Sequence, residues 1–146
     1  MKVLVDTNVV MDALTEREPF AEKSKEVIKI ISDHRADGFL AAHSVTNLFY
    51  LLRHDFSVDE RKEVLLSLFD VFDVEPIDTD RLKSALRRND FADFEDCLQS
   101  ECAESVFADY IVTRNTKDFV VGPIQCLTPV EFCELFQNEE ANGRHR

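Results

Sequence analysis

The segment KVLVDTNVVMDAL at residues 2–14 sets the architecture of the chain, because it places a strand directly before a helix. Its first apolar run, residues 3–5, is rich in β-branched side chains and is typical of a strand that is buried on both faces. Asp6, Thr7 and Asn8 end this run, and the apolar residues that follow them predict a helix that begins at once. Asp6 is therefore predicted to lie at the carboxyl end of a buried strand.

The same alternation of strand and helix continues through the chain. Apolar segments predict further strands near residues 38–42, 74–77, 109–112 and 124–126, and amphipathic segments predict helices near residues 20–34, 44–52, 57–72, 78–88, 93–106 and 129–136. Strands separated by helices imply parallel crossovers, so we predict an α/β fold, a three-layer α/β/α sandwich with a mostly parallel central sheet. Ser44 is predicted to cap the third helix. Residues 1–136 are predicted to form one domain, and residues 137–146 a polar, disordered tail.

Composition excludes several classes of function. With 146 residues, 45% of them hydrophobic, the chain can build a real core, and its 3 isolated glycines exclude glycine-rich phosphate-binding loops. The 4 cysteines lack CxxC spacing, which indicates a reducing, cytoplasmic location, and no apolar run approaches a membrane span.

The net charge of −12 opposes nonspecific attraction to nucleic acid. Binding of a nucleic acid would therefore need an additional source of attraction, and a divalent cation held by clustered carboxylates could supply it.

Acidic residues follow two predicted strands and open one predicted helix. Asp6 follows the first strand, Asp93, Glu95 and Asp96 open a helix, and Asp118 follows the fourth strand. Because ligands of parallel sheets collect at the carboxyl ends of the strands, these acids can meet at one edge and hold a hard divalent cation. Ordinary roles compete with this interpretation: Asp6 can be a helix cap, Asp93 and Glu95 first-turn acids, and Asp118 a turn residue.

Three stretches of the sequence resemble the PIN-domain ribonucleases, a family that includes toxins of bacterial and archaeal toxin–antitoxin pairs. They read VLVDTNVVMD at residues 3–12, DFEDCLQ at residues 93–99 and ADYIVTRNTKDF at residues 108–119. The resemblance extends over about residues 2–136. An apolar strand followed by Asp-Thr-Asn is only moderately specific, but its combination with the Asp-led helix and the late Thr-Arg-Asn segment is a strong signal.

The resemblance implies a PIN-like sheet and an endoribonuclease that cleaves phosphodiester bonds of single-stranded RNA with Mg²⁺ or Mn²⁺. Matched position by position, Asp6, Asp96 and Asp118 resemble the metal-binding catalytic acids of the family, and Asn115 resembles a polar partner in the same site. The family also implies a homodimer and, for toxin members, an antitoxin partner. A membrane partner is not expected.

One position departs from the family pattern. PIN ribonucleases usually carry a Glu in the helix after the second strand, and Asn47 occupies that place here. The loss of one negative charge lowers the expected metal affinity, so a catalytically weak or inactive PIN module that binds RNA or protein is an alternative. A phosphotransfer domain with Asp6 as the acceptor is a further alternative, although the partner motifs of such domains are absent.

Contacts to RNA are less visible in the sequence. Arg114 and Lys117 flank the late acidic loop and could contact phosphate, but plain surface charge is the more common role of such residues. Tyr50 or Phe91 could stack on a base, although packing in the core is the more common fate of an aromatic side chain.

Overall fold

A computed structural model of the chain describes residues 1–144, with side chains described for residues 1–138. Strands and helices alternate within it as predicted. The strands are β1 (Lys2–Val5), β2 (Asp37–Ala41), β3 (Phe72–Glu75), β4 (Tyr110–Val112) and β5 (Gln125–Leu127). The helices are α1 (Thr7–Leu14), α2 (Ala21–Ser32), α3 (Ala42–Leu51), α4 (Val58–Leu68), α5 (Thr79–Arg87), α6 (Phe94–Ser105) and α7 (Pro129–Arg144). Short 3-10 turns span Leu52–His54 and Thr116–Phe119.

The strands form one sheet in the order β3-β2-β1-β4-β5, and every neighbouring pair is parallel. β1 lies in the centre, where Leu4 pairs with Phe39 of β2 and with Ile111 of β4. The main chain beyond β1 stays joined to β4, since the N–H of Asp6 donates to the carbonyl of Val112 at 2.9 Å. The carboxyl ends of β1 and β4 therefore lie side by side, as the parallel arrangement predicts.

Helices cover both faces of the sheet. Val3 and Val5 point into the larger core, which is completed by buried side chains of α1, α2, α3, α4 and α7. Leu4 points to the opposite face and packs with Cys102 and Ala103 of α6. Because Val3, Leu4 and Val5 are all fully buried, β1 is continuously apolar after Lys2 rather than alternating. The predicted three-layer α/β/α sandwich is confirmed.

The end of α4 differs from the prediction. The helix was expected to continue to about residue 72, but it ends at Leu68, and Phe72 begins β3. Phe72 is 2% exposed and pairs with Gly38 of β2. A Cβ on Gly38 would lie 2.9 Å from the ring of Phe72, so the two strands pack too closely there for a larger side chain. Pairing in the sheet thus overrides the helical pattern of the segment.

The closing helix also continues further than predicted. Its expected end was about residue 136, whereas α7 extends to Arg144 through a segment that contains no proline. The division into a domain of residues 1–136 and a tail of residues 137–146 stays a prediction, and residues 145–146 lie outside the described residues. Among the described helices, none has the length and apolar character that crossing a bilayer requires.

Candidate active site

A cleft of about 530 Å³ lies at the carboxyl edge of the sheet. Its walls come from the start of α1, from α3, from the start of α6 and from the loop after β4. Asp6, Asp96, Asp118 and Asn115 all line it, together with Asn47. The structure therefore brings the four sequence-predicted site residues to one cleft, although their chemical roles stay predictions.

Asp6 is held rigidly between β1 and α1. It is 8% exposed, and both of its carboxylate oxygens accept hydrogen bonds. The amide of Gln99 donates to Oδ1 at 3.1 Å, and the hydroxyl of Thr113 donates to Oδ2 at 2.8 Å. Asp6 occupies the N-cap position of α1, as its alternative role requires, but its side chain makes no capping hydrogen bond. The fold instead orients this carboxylate through two partners from distant segments.

A buried polar network supports Gln99 in turn. Its Nε2 lies 3.0 Å from the hydroxyl of Ser44, to which the Thr7 hydroxyl also donates at 2.9 Å. Ser44 and Gln99 are 0% and 2% exposed. The predicted capping role of Ser44 is wrong, since α3 already begins at Ala42 and Ser44 lies inside it. Gln99 follows Asp96 by three residues on the same helical face, and this spacing is the signal that could have found it.

The start of α6 presents Asp96 to the cleft. Asp93 caps this helix, since its Oδ1 accepts from the N–H of Asp96 at 2.9 Å. Asp93 and Glu95 are exposed, whereas Asp96 is half-buried. Burial raises the pKa of Asp96 to about 7, with further contributions from the negative charges of Asp93, Asp6, Asp118 and Glu95. Asp6, Asp96 and Asp118 are therefore close enough to repel one another.

Asp118 and Asn115 belong to the loop after β4. Asp118 lies in the 3-10 turn Thr116–Phe119 and is exposed, while the next side chain, Phe119, is 1% exposed and anchors the turn. The N–H of Asn115 donates to the hydroxyl of Thr113 at 3.1 Å. Thr113 thus links this loop to Asp6. Burial raises the pKa of Asp6; the Thr113 hydrogen bond lowers it, and the charge of Asp118 raises it further.

The oxygen donors of the cleft suit a hard divalent cation. Asp6, Asp96 and Asp118 offer carboxylates, the ligands that Mg²⁺ and Mn²⁺ prefer, and their mutual repulsion would be relieved by positive charge. The Oε1 of Gln99 is buried without a hydrogen-bond partner among the described side chains, so it can still accept one. Within residues 1–138, no three Asp, Glu, His or Cys side chains are already grouped closely enough to hold a metal ion. The donor chemistry fits, but the ligand shell is not preformed.

Two arginines, Arg17 and Arg114, add positive charge to the cleft. Nε of Arg114 lies 2.8 Å from Oδ2 of Asp12, which is 1% exposed. Lys117 is exposed and does not line the cleft. Phe91 does not line it either and instead packs edge-on against Phe119 at 6.4 Å between ring centroids. The sequence contained no sign that Asp12 and Arg114 would pair.

Comparison with known proteins identifies the family. The PIN-domain family model matches residues 2–117. The chain belongs to the PIN-domain family. A relative, Ribonuclease VapC1 of Aquifex aeolicus (strain VF5), is 27% identical over 139 residues, which cover 91% of this chain and 94% of the relative. The resemblance inferred from residues 3–12, 93–99 and 108–119 is confirmed.

Solved structures share the PIN fold. FitAB bound to an IR36 DNA fragment superposes with a TM-score of 0.67 at 18% identity, over 87% of this chain and 94% of the other. VapBC2 from Rickettsia felis, bound to a DNA fragment from its promoter, superposes with a TM-score of 0.62 at 14% identity, over 88% of this chain and 98% of the other. At these identities the likeness establishes the fold of this PIN domain.

Proposed function

We propose that this PIN domain is an endoribonuclease that cleaves phosphodiester bonds of single-stranded RNA with Mg²⁺ or Mn²⁺. The observation that carries the proposal is the meeting of Asp6, Asp96 and Asp118, from three separate elements, in one cleft of a PIN fold. The reaction class is supported by a relative that is named a ribonuclease and that aligns with this chain over 94% of its own length.

In this proposal each acid has a defined part. Asp6, Asp96 and Asp118 hold the cation, and Asn115 adds a polar side chain beside Asp118. When bound, a divalent cation polarises a phosphoryl oxygen and lowers the pKa of bound water towards neutrality. Gln99 and Thr113 keep the Asp6 carboxylate in one orientation. Without positive charge beside them, the acids would repel the phosphates of RNA. A bound cation would offset part of this negative charge.

The partners are proposed from the family resemblance. We infer a homodimer and, if the protein is a toxin, an antitoxin partner. All four cysteines are free thiols, which supports a cytoplasmic location. Light scattering after size-exclusion chromatography tests the dimer, and copurification with the product of the adjacent gene tests the antitoxin.

A second candidate function is a PIN module that binds RNA or protein without cutting it. The observation that favours it is Asn47, which lines the cleft where the family usually has a Glu. A neutral amide leaves the cleft with one carboxylate fewer, and metal affinity falls with ligand charge.

The deciding experiment combines cleavage with metal binding. Wild-type protein is incubated with labelled single-stranded RNA in Mn²⁺ or in excess EDTA, and Mn²⁺ binding is measured by calorimetry. Asp6→Asn and Asp96→Asn should abolish cleavage and weaken Mn²⁺ binding, whereas the control Asp55→Asn removes an exposed loop carboxylate and should change neither. Equal cleavage in EDTA contradicts the proposal. RNA binding without cleavage, and without heat from millimolar Mn²⁺, supports the second candidate.

A further inference from the structure

Asp12 is a buried acid that has no part in the proposed reaction. It lies on α1, 1% exposed, and its partner is Arg114, half-buried in the loop after β4. The Nε of Arg114 is 2.8 Å from Oδ2 of Asp12, and Nη2 donates to Oδ1 at 3.4 Å. An acid so deeply buried is costly unless it is paired, so this contact fixes the position of the guanidinium.

Two further contacts hold Arg114. The ring of Phe20 lies under the guanidinium, with 4.4 Å from Cζ to the ring centroid. The backbone N–H of Arg114 donates to the side chain of Asn8 at 3.3 Å. One edge and one face of the guanidinium are thus occupied by protein. Nη1 has no hydrogen-bond acceptor among the described residues, although Arg114 lines the cleft.

We propose that Arg114 binds a phosphate of the RNA backbone beside the metal-binding acids, with Asp12 and Phe20 as positioning residues that aim its free Nη1 into the cleft. This inference rests on the proposed function and names the group that receives the RNA backbone. Guanidinium groups suit phosphate because they present paired N–H donors in a fixed plane. A side chain that is already oriented also loses less entropy when it binds.

The charge balance of the cleft explains why Arg114 needs Asp12. Six acids line the cleft against two arginines, the acids being Asp6, Asp12, Asp93, Glu95, Asp96 and Asp118. A mobile arginine there would pair with the metal-binding acids and compete with the cation. Because Asp12 lies against Nε as an ion pair and accepts a hydrogen bond from Nη2, Arg114 can contribute its charge without covering Asp6, Asp96 or Asp118.

The experiment distinguishes a specific phosphate contact of Arg114 from the general effect of surface charge on RNA binding. Cleavage of a labelled single-stranded RNA in Mn²⁺ gives KM and kcat, and fluorescence anisotropy of the same RNA gives Kd on an Asp96→Asn background, where no cleavage is expected. The variants are Arg114→Lys, Arg114→Ala and the double variant Asp12→Asn/Arg114→Ala, which leaves no unpaired buried charge if the single alanine variant unfolds. Lys117→Ala, at an exposed cation outside the cleft, is the matched control.

Loss of one charged hydrogen-bonding contact predicts that KM and Kd both rise about tenfold in the Arg114→Ala and double variants, with kcat less affected. Arg114→Lys should not restore binding, because an ammonium cannot make the paired contact to Asp12. Lys117→Ala should change KM by less than about twofold. If the Arg114 variants have the same KM and Kd as Lys117→Ala, the proposed phosphate site is wrong, although the proposed nuclease activity is not affected. If wild-type protein binds RNA without cutting it, the proposed function is wrong, and a tenfold rise in Kd still supports the site.

Discussion

Asp6 and Asp118 line the same cleft but are held in opposite ways. Asp6 is 8% exposed, and both of its carboxylate oxygens accept hydrogen bonds from residues far away in sequence. Asp118 is exposed on a 3-10 turn, and no hydrogen bond to its carboxylate is found among the described residues. The first acid is positioned by the sheet and by a buried polar network, the second only by its backbone and by the burial of Phe119.

This contrast separates a fixed side of the cleft from an adaptable one. Burying a carboxylate is unfavourable, and the hydrogen bonds from Gln99 and Thr113 offset part of that cost while they hold Asp6 still. An exposed carboxylate has no such desolvation cost, and its side chain can move towards a cation that binds. Substitutions near Asp6 should therefore affect metal binding more than substitutions near Asp118.

The largest effect is expected from Thr113→Val. This change keeps the shape of a fully buried side chain but removes the hydroxyl that donates to Asp6 at 2.8 Å. Loss of a hydrogen bond to a metal ligand should weaken Mn²⁺ binding about 10–100-fold in calorimetry. Thr79→Val, at an exposed position at the start of α5, is the matched control. Equal Mn²⁺ affinity in the two variants would show that Asp6 needs no support from Thr113.

Asn47→Glu should produce a smaller change of the opposite sign. It adds a carboxylate to the wall of the cleft at the position where the family usually has one. We expect Mn²⁺ affinity to rise about tenfold, because affinity increases with ligand charge. Asn47→Gln, which stays neutral, is the control for side-chain length. An unchanged or lower affinity in the Glu variant would mean that residue 47 does not face the metal site.

The sequence predicted the acids of the cleft better than the hydrogen bonds that hold them. Apolar runs and helix starts sufficed to place Asp6, Asp96 and Asp118 at one edge of a parallel sheet. The partners of Asp6 could not be predicted in the same way, because Gln99 and Thr113 lie 93 and 107 residues away from it in sequence. The spacing of Gln99 from Asp96 indicates a shared helical face but not the contact with Asp6, and Thr113 has no periodic signal at all.

Element ends show the same limit. The segment after residue 68 has a helical pattern, but pairing of Phe72 with Gly38 turns it into a strand. The pairing depends on close contact between two strands, and local preference contains no information about it. Patterns therefore predicted the order of the elements along the chain and a mostly parallel sheet, whereas tertiary contacts decided the boundaries and the hydrogen bonds of the site.

Phe91→Ala tests how far packing supports the adaptable side. The half-buried ring of Phe91 packs edge-on against Phe119, and the guanidinium of Arg88 lies over it, 4.9 Å from Cζ to the centroid. Removing the ring should lower the free energy of unfolding by about 1–3 kcal/mol in a denaturant titration. Mn²⁺ affinity should fall by less than in Thr113→Val. Phe91→Leu, which keeps most of the apolar volume, is the control. A loss of metal affinity without a loss of stability would contradict this packing role.

Asp93→Asn should have the smallest effect, because the structure gives Asp93 a capping role. Its Oδ1 accepts from the N–H of Asp96, and Asn caps helices as well as Asp does. We therefore expect an unchanged free energy of unfolding, whereas Asp93→Ala should lose about 1 kcal/mol. Mn²⁺ affinity should fall by less than about threefold, the effect of one screened charge. A fall in Mn²⁺ affinity as large as that of Thr113→Val would mean that Asp93 is itself a metal ligand and compensates for the neutral Asn47. The exposed side of the cleft would then contribute as much to metal binding as Asp6 does.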